Sequence, residues 1–293
     1  CGEFVEEIRR GLRGEKSTLM MLPTYIQLGG EVPLNRKIIV LDAGGTNFRV
    51  AVVTLREEGP LIEGFQKFPM PGTQGETTRE AFFEAMAAYM LPVADASEEI
   101  GFCFSFATEI QPDRDGKMLY FSKELRVKDA IGHLVGEGVN RALGKKGIRP
   151  KRITVLNDTV ATMLGGVAAT KDEAYESHIG YILGTGTNTC DIENSDRITK
   201  SPDGVEMGGK MAVNMESGAY GRVAQGEIDR QFDQSTATPG LMLMEKMIYG
   251  QYQGTPIYLT AKRAAAEVLF PPGFAGRLSE MSDCNMREID QFC

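Results

Sequence analysis

Apolar and polar positions change period several times along this chain, and each change predicts an element. Phe4 to Leu12 is amphipathic with helical spacing, and MLPTYIQLGGEVP behind it reads as a linker. Ile38–Asp42, Arg49–Leu55 and Leu61–Phe68 are strand candidates joined by short turns. PMPGTQGE (69–76) is a loop, and TTREAFFEAMAAYML (77–91) returns to helical spacing behind a Thr suited to capping. EIGFCFSF (99–106) is a strand of the buried type, KMLYF (117–121) a short hairpin arm, and KDAIGHLVGEGVNRAL (128–143) a helix. ITVL (153–156) is another apolar strand, with the helical TVATMLGGVAA directly after it. Three strands followed by alternating helices and strands predict an α/β protein, its mixed sheet flanked by helices.

The pattern partly restarts at HIGYILGTGTNTCDIE (178–193), again strand, glycine turn, strand. Gly-Thr-Asn recurs at the two tips, in GGTN (44–47) and TGTN (185–188), and two such hairpins predict two related domains facing a cleft. Residues 194–211 and 270–276 read as loops. The 293 residues, 42% hydrophobic and 25% charged, suit a globular protein with room for two domains. No apolar run approaches the ~20 residues of a membrane span. The N-terminal CGEFVEEIRRGLRGEK lacks the apolar core of a signal peptide. A net charge of -8 without a basic cluster argues against a nucleic-acid partner. Five dispersed cysteines with no CxxC pair argue against a disulfide framework and a thiolate zinc site, and they fit a reducing cytoplasm. The two histidines, His133 and His178, are far apart, which makes histidine-based catalysis an unpromising reading.

The stretch IIVLDAGGTNFRVAVVTL (38–55) poses the first chemical question. A glycine pair between strands is ordinarily a turn that needs positive φ. Three features go beyond that. Asp42 ends an apolar strand, Thr46 and Asn47 add polar atoms at the tip, and the tip recurs as Gly184-Thr185-Gly186-Thr187-Asn188. Glycines let backbone N–H groups approach phosphate oxygens, and an aspartate beside them calls for an intervening Mg²⁺, often through water. No GxxxxGK[ST] occurs, and GTGTNT lacks the third glycine of a dinucleotide fingerprint, so turn and phosphate loop stand level here. Asp158, in ITVLNDTVATML (153–164), lies between a strand end and a helix start. A helix cap is its simplest reading; the sharper one is a base that takes a proton from a substrate hydroxyl. Taken singly, Ser105 reads as a strand hydroxyl, Lys123 as a solvated lysine and Glu245 as an exposed charge beside Lys246; Glu216 sits in a glycine-bounded segment.

In chain order, MLPTY (21–25), LDAGGTNFRV (41–50), GFCFSF (101–106), SKEL (122–125) and LNDTVATML (156–164) resemble the hexokinase family. LGTGTNTC (183–190), NMESGAYG (214–221) and the helix TPGLMLMEKM (238–247) extend the likeness over almost the whole chain. The resemblance, to a single-unit member of prokaryotic type, implies two actin-like ATPase (ribonuclease H-like) domains. The small domain would span 34–156 and the large one 1–33 plus 157–293. It implies ATP and Mg²⁺ as cofactors, a hexose such as glucose as substrate, and a monomer or homodimer. Asp158 is then similar to the base that accepts the sugar 6-hydroxyl proton, with Lys123 as a second catalytic group. Ser105, Phe106, Ser122, Lys123, Asn157, Asp158, Asn188, Glu216 and Glu245 match the family's sugar contacts. Asp42, Gly44, Gly45, Thr46, Asn47 and Arg49 match the first phosphate loop, where Asp42 meets Mg²⁺ through water. Gly184, Thr185 and Gly186 match the second.

Departures accompany the match. Ala107 stands where the family usually has proline, Ser122 where it has threonine, and Ser217 where it has tryptophan. The chain is also expected to stop before the segment with which the family contacts adenosine. Two rival expectations follow. One is a sugar-responsive binding or regulatory protein with impaired catalysis. The other is an actin-like ATPase or filament subunit, which would have no need of Asn157, Glu216 and Glu245.

Overall fold

The computed structural model describes residues 2–30, 33–121, 125–170, 175–184, 186–200, 203, 205, 207–248, 250, 252–281 and 284. In chain order the first elements are α1 (Gly2–Arg13), β1 (Leu22–Leu28), β2 (Lys37–Ala43), β3 (Asn47–Arg56) and β4 (Gly59–Pro69). The two-residue β5 (Thr77–Thr78) leads into α2 (Arg79–Met90) and β6 (Glu99–Phe104). Next come β7 (Ala107–Ile110), β8 (Gly116–Tyr120), the two-residue β9 (Val127–Lys128), α3 (Val135–Gly144) and β10 (Arg152–Leu156). After α4 (Asp158–Ala169) follow β11 (Gly180–Leu183), β12 (Thr187–Asn194) and β13 (Lys210–Asn214). Then come α5 (Glu227–Ser235), α6 (Leu243–Ile248), α7 (Gly254–Ala266) and α8 (Pro272–Glu280). Among the described residues no helix is long and apolar enough to cross a membrane.

The chain falls into two compact units. One comprises Leu22–Gly180 with Cys190–Asn214; the other comprises Cys1–Met21, Tyr181–Thr189 and Met215–Cys293. In these units 22–33, 157–180 and 190–214 group with 34–156.

The first unit is built on a five-stranded sheet in the order β10-β6-β2-β3-β4. β10, β6 and β2 are parallel, while β2, β3 and β4 form an antiparallel meander, so the sheet is mixed as the element order predicts. Along β2 and β6 fully buried residues alternate with half-buried ones. Ile39 pairs with Ile100, Leu41 with Phe102 and Ala43 with Phe104, so one face of the sheet presents a continuous apolar layer. α2 lies against the sheet through Tyr89, whose ring centroid is 5.9 Å from that of Phe48, and it buries Phe82, Met86 and Met90; the Thr78 hydroxyl caps this helix by accepting from the Ala81 N–H at 3.2 Å. In the same unit β1, β13 and the second half of β12 pair antiparallel. Val160 and Met163 of α4 bury themselves against Cys190 and Ala212 there.

Four segments depart from expectation, one of them the helix expected over 238–247, which begins only at Leu243. Leu22–Leu28 lies in the stretch that reads as a linker, yet it is a strand, because its partner is the distant Lys210–Asn214. The helix expected over 128–143 begins only at Val135, since Asp129 and Gly132 adopt left-handed backbone (φ 53° and 81°) that interrupts a helix. Much of the expected loop 270–276 belongs to α8, which opens at Pro272, a residue preorganised for a first helical turn.

In the second unit α1 is tied down by a buried carboxylate. Glu7 accepts from the Thr18 N–H (2.9 Å), the Ser17 hydroxyl (3.0 Å) and the Thr18 hydroxyl (3.2 Å), and it pairs with Arg222 at 3.2 Å. The Thr18 N–H leads the interactions that hold its carboxyl below the usual range, against the opposing effect of burial.

Candidate functional site

The three parallel strands decide the position of the first group of polar residues. Asp42 of β2 lies opposite Cys103 of β6, and Cys103 lies opposite Leu156 of β10. The C-terminal ends of neighbouring strands therefore bring Asp42, Ser105 and the Asn157–Asp158 pair to one edge of the sheet. This is the edge at which open α/β sheets bind ligands.

The cap expected at Asp158 falls instead at Asn157. Asn157 has extended backbone (φ -75°, ψ 158°) and its side-chain oxygen accepts from the Thr159 N–H (3.0 Å) and hydroxyl (2.6 Å). Asp158 is already the first helical residue, and its carboxylate accepts from the Thr159 N–H at 2.9 Å. Burial pushes its carboxyl above the usual range, the Thr159 N–H and the Ser105 hydroxyl pull the other way, and the charge of Asp42 adds to the rise. Cys103 belongs to this group although its sequence context does not announce it. Its sulfur is 4.0 Å from the Ser105 hydroxyl, and burial together with Asp42 and Asp158 drives the thiol strongly up. Such a thiol stays protonated and is no nucleophile. The period-two alternation of Cys103 and Ser105 with the buried Phe102 and Phe104 is the signal that places both on the polar face.

The hairpin between β2 and β3 is closed by the Gly44 N–H donating to the Asn47 carbonyl (3.0 Å), and the Met70 N–H donates to the Thr46 carbonyl (3.0 Å). The Asn47 amide donates to the Thr46 hydroxyl at 2.8 Å. Neither Gly44 nor Gly45 has left-handed backbone. A Cβ on Gly45 would meet nothing within 4 Å, and one on Gly44 would meet only the Asn47 carbonyl at 3.6 Å. The turn itself therefore does not require these glycines. Arg49 stands opposite Asp42 in the ladder and forms an ion pair with its carboxylate. Phe106 is a core side chain, packed between Phe104 (5.0 Å between centroids) and Phe121 (5.3 Å).

The second unit assembles the other candidates. Between β11 and β12 the Gly184 N–H donates to the Gly186 carbonyl (3.0 Å), and a Cβ on Gly184 would meet nothing within 4 Å. The Asn188 side-chain oxygen accepts from the N–H of Thr189 (2.7 Å) and of Ser217 (3.2 Å), and its amide donates to Glu216 at 3.4 Å. Glu216 is only 8% exposed and holds left-handed backbone (φ 56°, ψ 50°). Such a conformation in a non-glycine residue costs of order 1–3 kcal/mol and concentrates at functional positions. Glu245, on α6, accepts from the Thr187 N–H at 3.4 Å, and burial raises its carboxyl. Gly218 fits between these groups because a Cβ there would lie 2.9 Å from the Thr187 carbonyl and 3.0 Å from Glu245. Asn188, Glu216 and Glu245 are thus brought together, with Thr187, Ser217 and Gly218 as supports that no motif singled out. Ser122, Lys123 and Thr185 lie outside the described residues. Among the described residues no group of three or more His, Cys, Asp or Glu side chains could hold a metal ion.

This mixed-sheet α/β architecture is that of the actin-like ATPase group, as a solved structure with the same fold makes plain. Hexokinase from Schistosoma mansoni complexed with glucose matches at a TM-score of 0.76 and 27% identity, over 91% of this chain and 62% of that one. Family models described as hexokinase match residues 1–168 and 178–291, and the chain belongs to the hexokinase family. Relatives include hexokinase-5 of Oryza sativa subsp. japonica, 31% identical over 270 residues, which are 86% of this chain and 52% of that protein. Hexokinase-1 of Nicotiana tabacum is 31% identical over 280 residues, 89% of this chain and 55% of that protein. The chain thus spans about half the length of these relatives.

Proposed function

We propose that the protein transfers the γ-phosphate of ATP to the 6-hydroxyl of a hexose, glucose foremost, with Asp158 as the general base. The observation that carries this reading is the arrangement at Asp158. Asn157 takes over the cap, leaving a desolvated carboxylate at the C-terminal edge of parallel strands with its proton affinity raised. A base of that kind is matched to a hydroxyl proton that becomes acidic only as the oxygen attacks phosphorus. Asn188, Glu216 and Glu245 supply directional acceptors and a donor for the neutral hydroxyls of a sugar, which bare charges would not discriminate. Lys123 and Ser122 belong to the same reading as sugar contacts, as does Thr185 for the phosphates.

The donor set suits MgATP. Gly45 and Gly184 leave room for phosphate oxygens, since neither would crowd a Cβ and neither needs to be glycine for its backbone. Asp42 is a single carboxylate, as Mg²⁺ requires when phosphates and water supply most of its ligands. Bound there, the ion would neutralise charge on the phosphates. The division into a small domain over 34–156 and a large one over the rest belongs to this reading too. ADP release across a panel of hexoses tests it, with Asp158→Ala in parallel. Sugar-dependent release is expected, lowered roughly 10²–10⁴-fold in the variant; near-normal turnover in Asp158→Ala would sink the assignment.

A further inference from the structure

We propose that the buried ion pair of Asp233 and Lys246 positions Glu245 for the hexose, a proposal that rests on the hexose-site reading of Glu245 above. Glu245 and Lys246 are neighbours on α6, a helix of only six residues, Leu243–Ile248. A helix so short has no stability of its own and takes its orientation from tertiary contacts. Those contacts converge on Lys246. Its side chain is only 2% exposed, and its ammonium donates to the Asp233 carboxylate and to the Thr238 carbonyl, at 2.5 Å and 2.6 Å.

Asp233, on α5, in turn accepts from the Gly240 N–H through both oxygens, at 3.1 Å and 2.9 Å. Gly240 reaches that position with left-handed backbone (φ 78°), which glycine adopts freely. The segment between α5 and α6 is therefore folded around one carboxylate. Burial works against the charge of Asp233, but Lys246 and the Gly240 N–H outweigh it and hold the carboxyl below its usual range. The Asp233 carboxyl therefore stays ionised at neutral pH.

Adjacent residues on a helix point about 100° apart. Fixing the direction of Lys246 into the protein therefore fixes the direction of Glu245, which faces the Thr187 N–H and Gly218. The Met244 N–H, donating to the Tyr220 carbonyl at 3.2 Å, ties the same helix to the turn that follows Glu216. In the sequence Lys246 is only the charge next to Glu245 in a Met-rich segment. Folded, it is the most deeply buried residue of α6 and the one that holds the helix in register with the site.

A double-mutant cycle on hexose affinity tests the proposal, with glucose titrated calorimetrically into the full chain and into Lys246→Met, Glu245→Gln and the two combined. Glu245→Gln is expected to weaken binding about tenfold or more. Lys246→Met should weaken it roughly 5–30-fold when Glu245 is present and less than about twofold when position 245 is already Gln. Lys246→Arg should restore affinity to within a few fold, because it keeps a buried donor for Asp233. An equal loss from Lys246→Met in both backgrounds would mean general destabilisation and would overturn the positioning role. Full affinity in Lys246→Met would overturn it as well. If instead Glu245→Gln binds glucose normally, the hexose-site reading fails and the proposal with it. Should Lys246→Met not fold, Asp233→Asn with Lys246→Met removes both charges and keeps an acceptor for Gly240, and the same cycle is read with that pair.

Discussion

Asp158 and Glu245 are both carboxylates raised above their usual range by burial, yet the two units hold them by opposite means. Asp158 belongs to a regular arrangement: parallel strands in register, an Asn cap, and a 12-residue helix of which it is the first residue. Its position follows from elements that are each stable through many local and cross-strand contacts. Glu245 sits on a helix of under two turns, beside a left-handed Glu216, and depends on a buried ion pair and a glycine with no room for a side chain. A scaffold of the first kind places a base to within a narrow range of orientations. A clamp of the second kind places several hydroxyl acceptors around a small molecule, where no regular element could supply them all.

The comparison breaks most visibly in kinetics. Asp158→Asn should lower turnover by roughly 10²–10⁴ while leaving hexose affinity within a few fold, whereas Glu245→Gln should act chiefly on affinity. ADP-release kinetics and calorimetry separate the two, and the same pattern in both variants would erase the distinction between base and ligand. Next in size is the sheet itself. Phe102, wholly buried beneath the first group, should cost about 3–5 kcal/mol in urea unfolding when replaced by Ala.

Gly218→Ala tests the clamp directly. Its Cβ would press on the Thr187 carbonyl and on Glu245, so a loss of about 1–3 kcal/mol in stability and a raised hexose KM are expected. A variant with unchanged KM would show that Glu245 is not held by close packing.

The raised carboxyls also carry a sign. Their ionised forms are disfavoured in the folded state, so the stability they allow is complete below the unfolded carboxylate pKa and is lost as pH rises through the higher folded value. Asp158→Asn and Glu245→Gln should therefore melt above the unaltered protein at neutral pH. That advantage should shrink as pH falls toward about 4, where the native carboxyls take up protons. Differential scanning fluorimetry over pH 4–8 checks this in both units. The smallest effect belongs to Gly45→Ala, which should change stability by less than about 0.5 kcal/mol yet weaken ATP binding. Undiminished nucleotide affinity there would argue that the open face of the hairpin holds no phosphate.

What could be read from the residues differs between the units in the same way. β2, β3, β4, β6 and β10 are visible in the sequence because a strand's alternation or apolar run is local, and Thr78 is recognisable as a cap from residue type and position. The motifs around Asp42, Ser105 and Asp158 could be marked for the same reason. β1 could not be read, because Leu22–Leu28 becomes a strand only by pairing with Lys210–Asn214, and nothing in its own seven residues demands it. The cap showed a finer limit. Asn and Asp cap almost equally well, so only the observed backbone shows that Asn157 caps and Asp158 is released.

By itself, the sequence determined the mixed α/β architecture, the two glycine-tipped hairpins and the membership of a family, through local periodicity and ordered motifs. Tertiary structure alone decided that Cys103 joins Asp42 and Asp158, that Arg49 pairs with Asp42, and that Lys246 turns inward to Asp233. The physical reason is the range of the interactions. Backbone propensity and apolar period act over a few residues, whereas desolvation, ion pairing and the room for a Cβ depend on groups that meet only when distant segments pack.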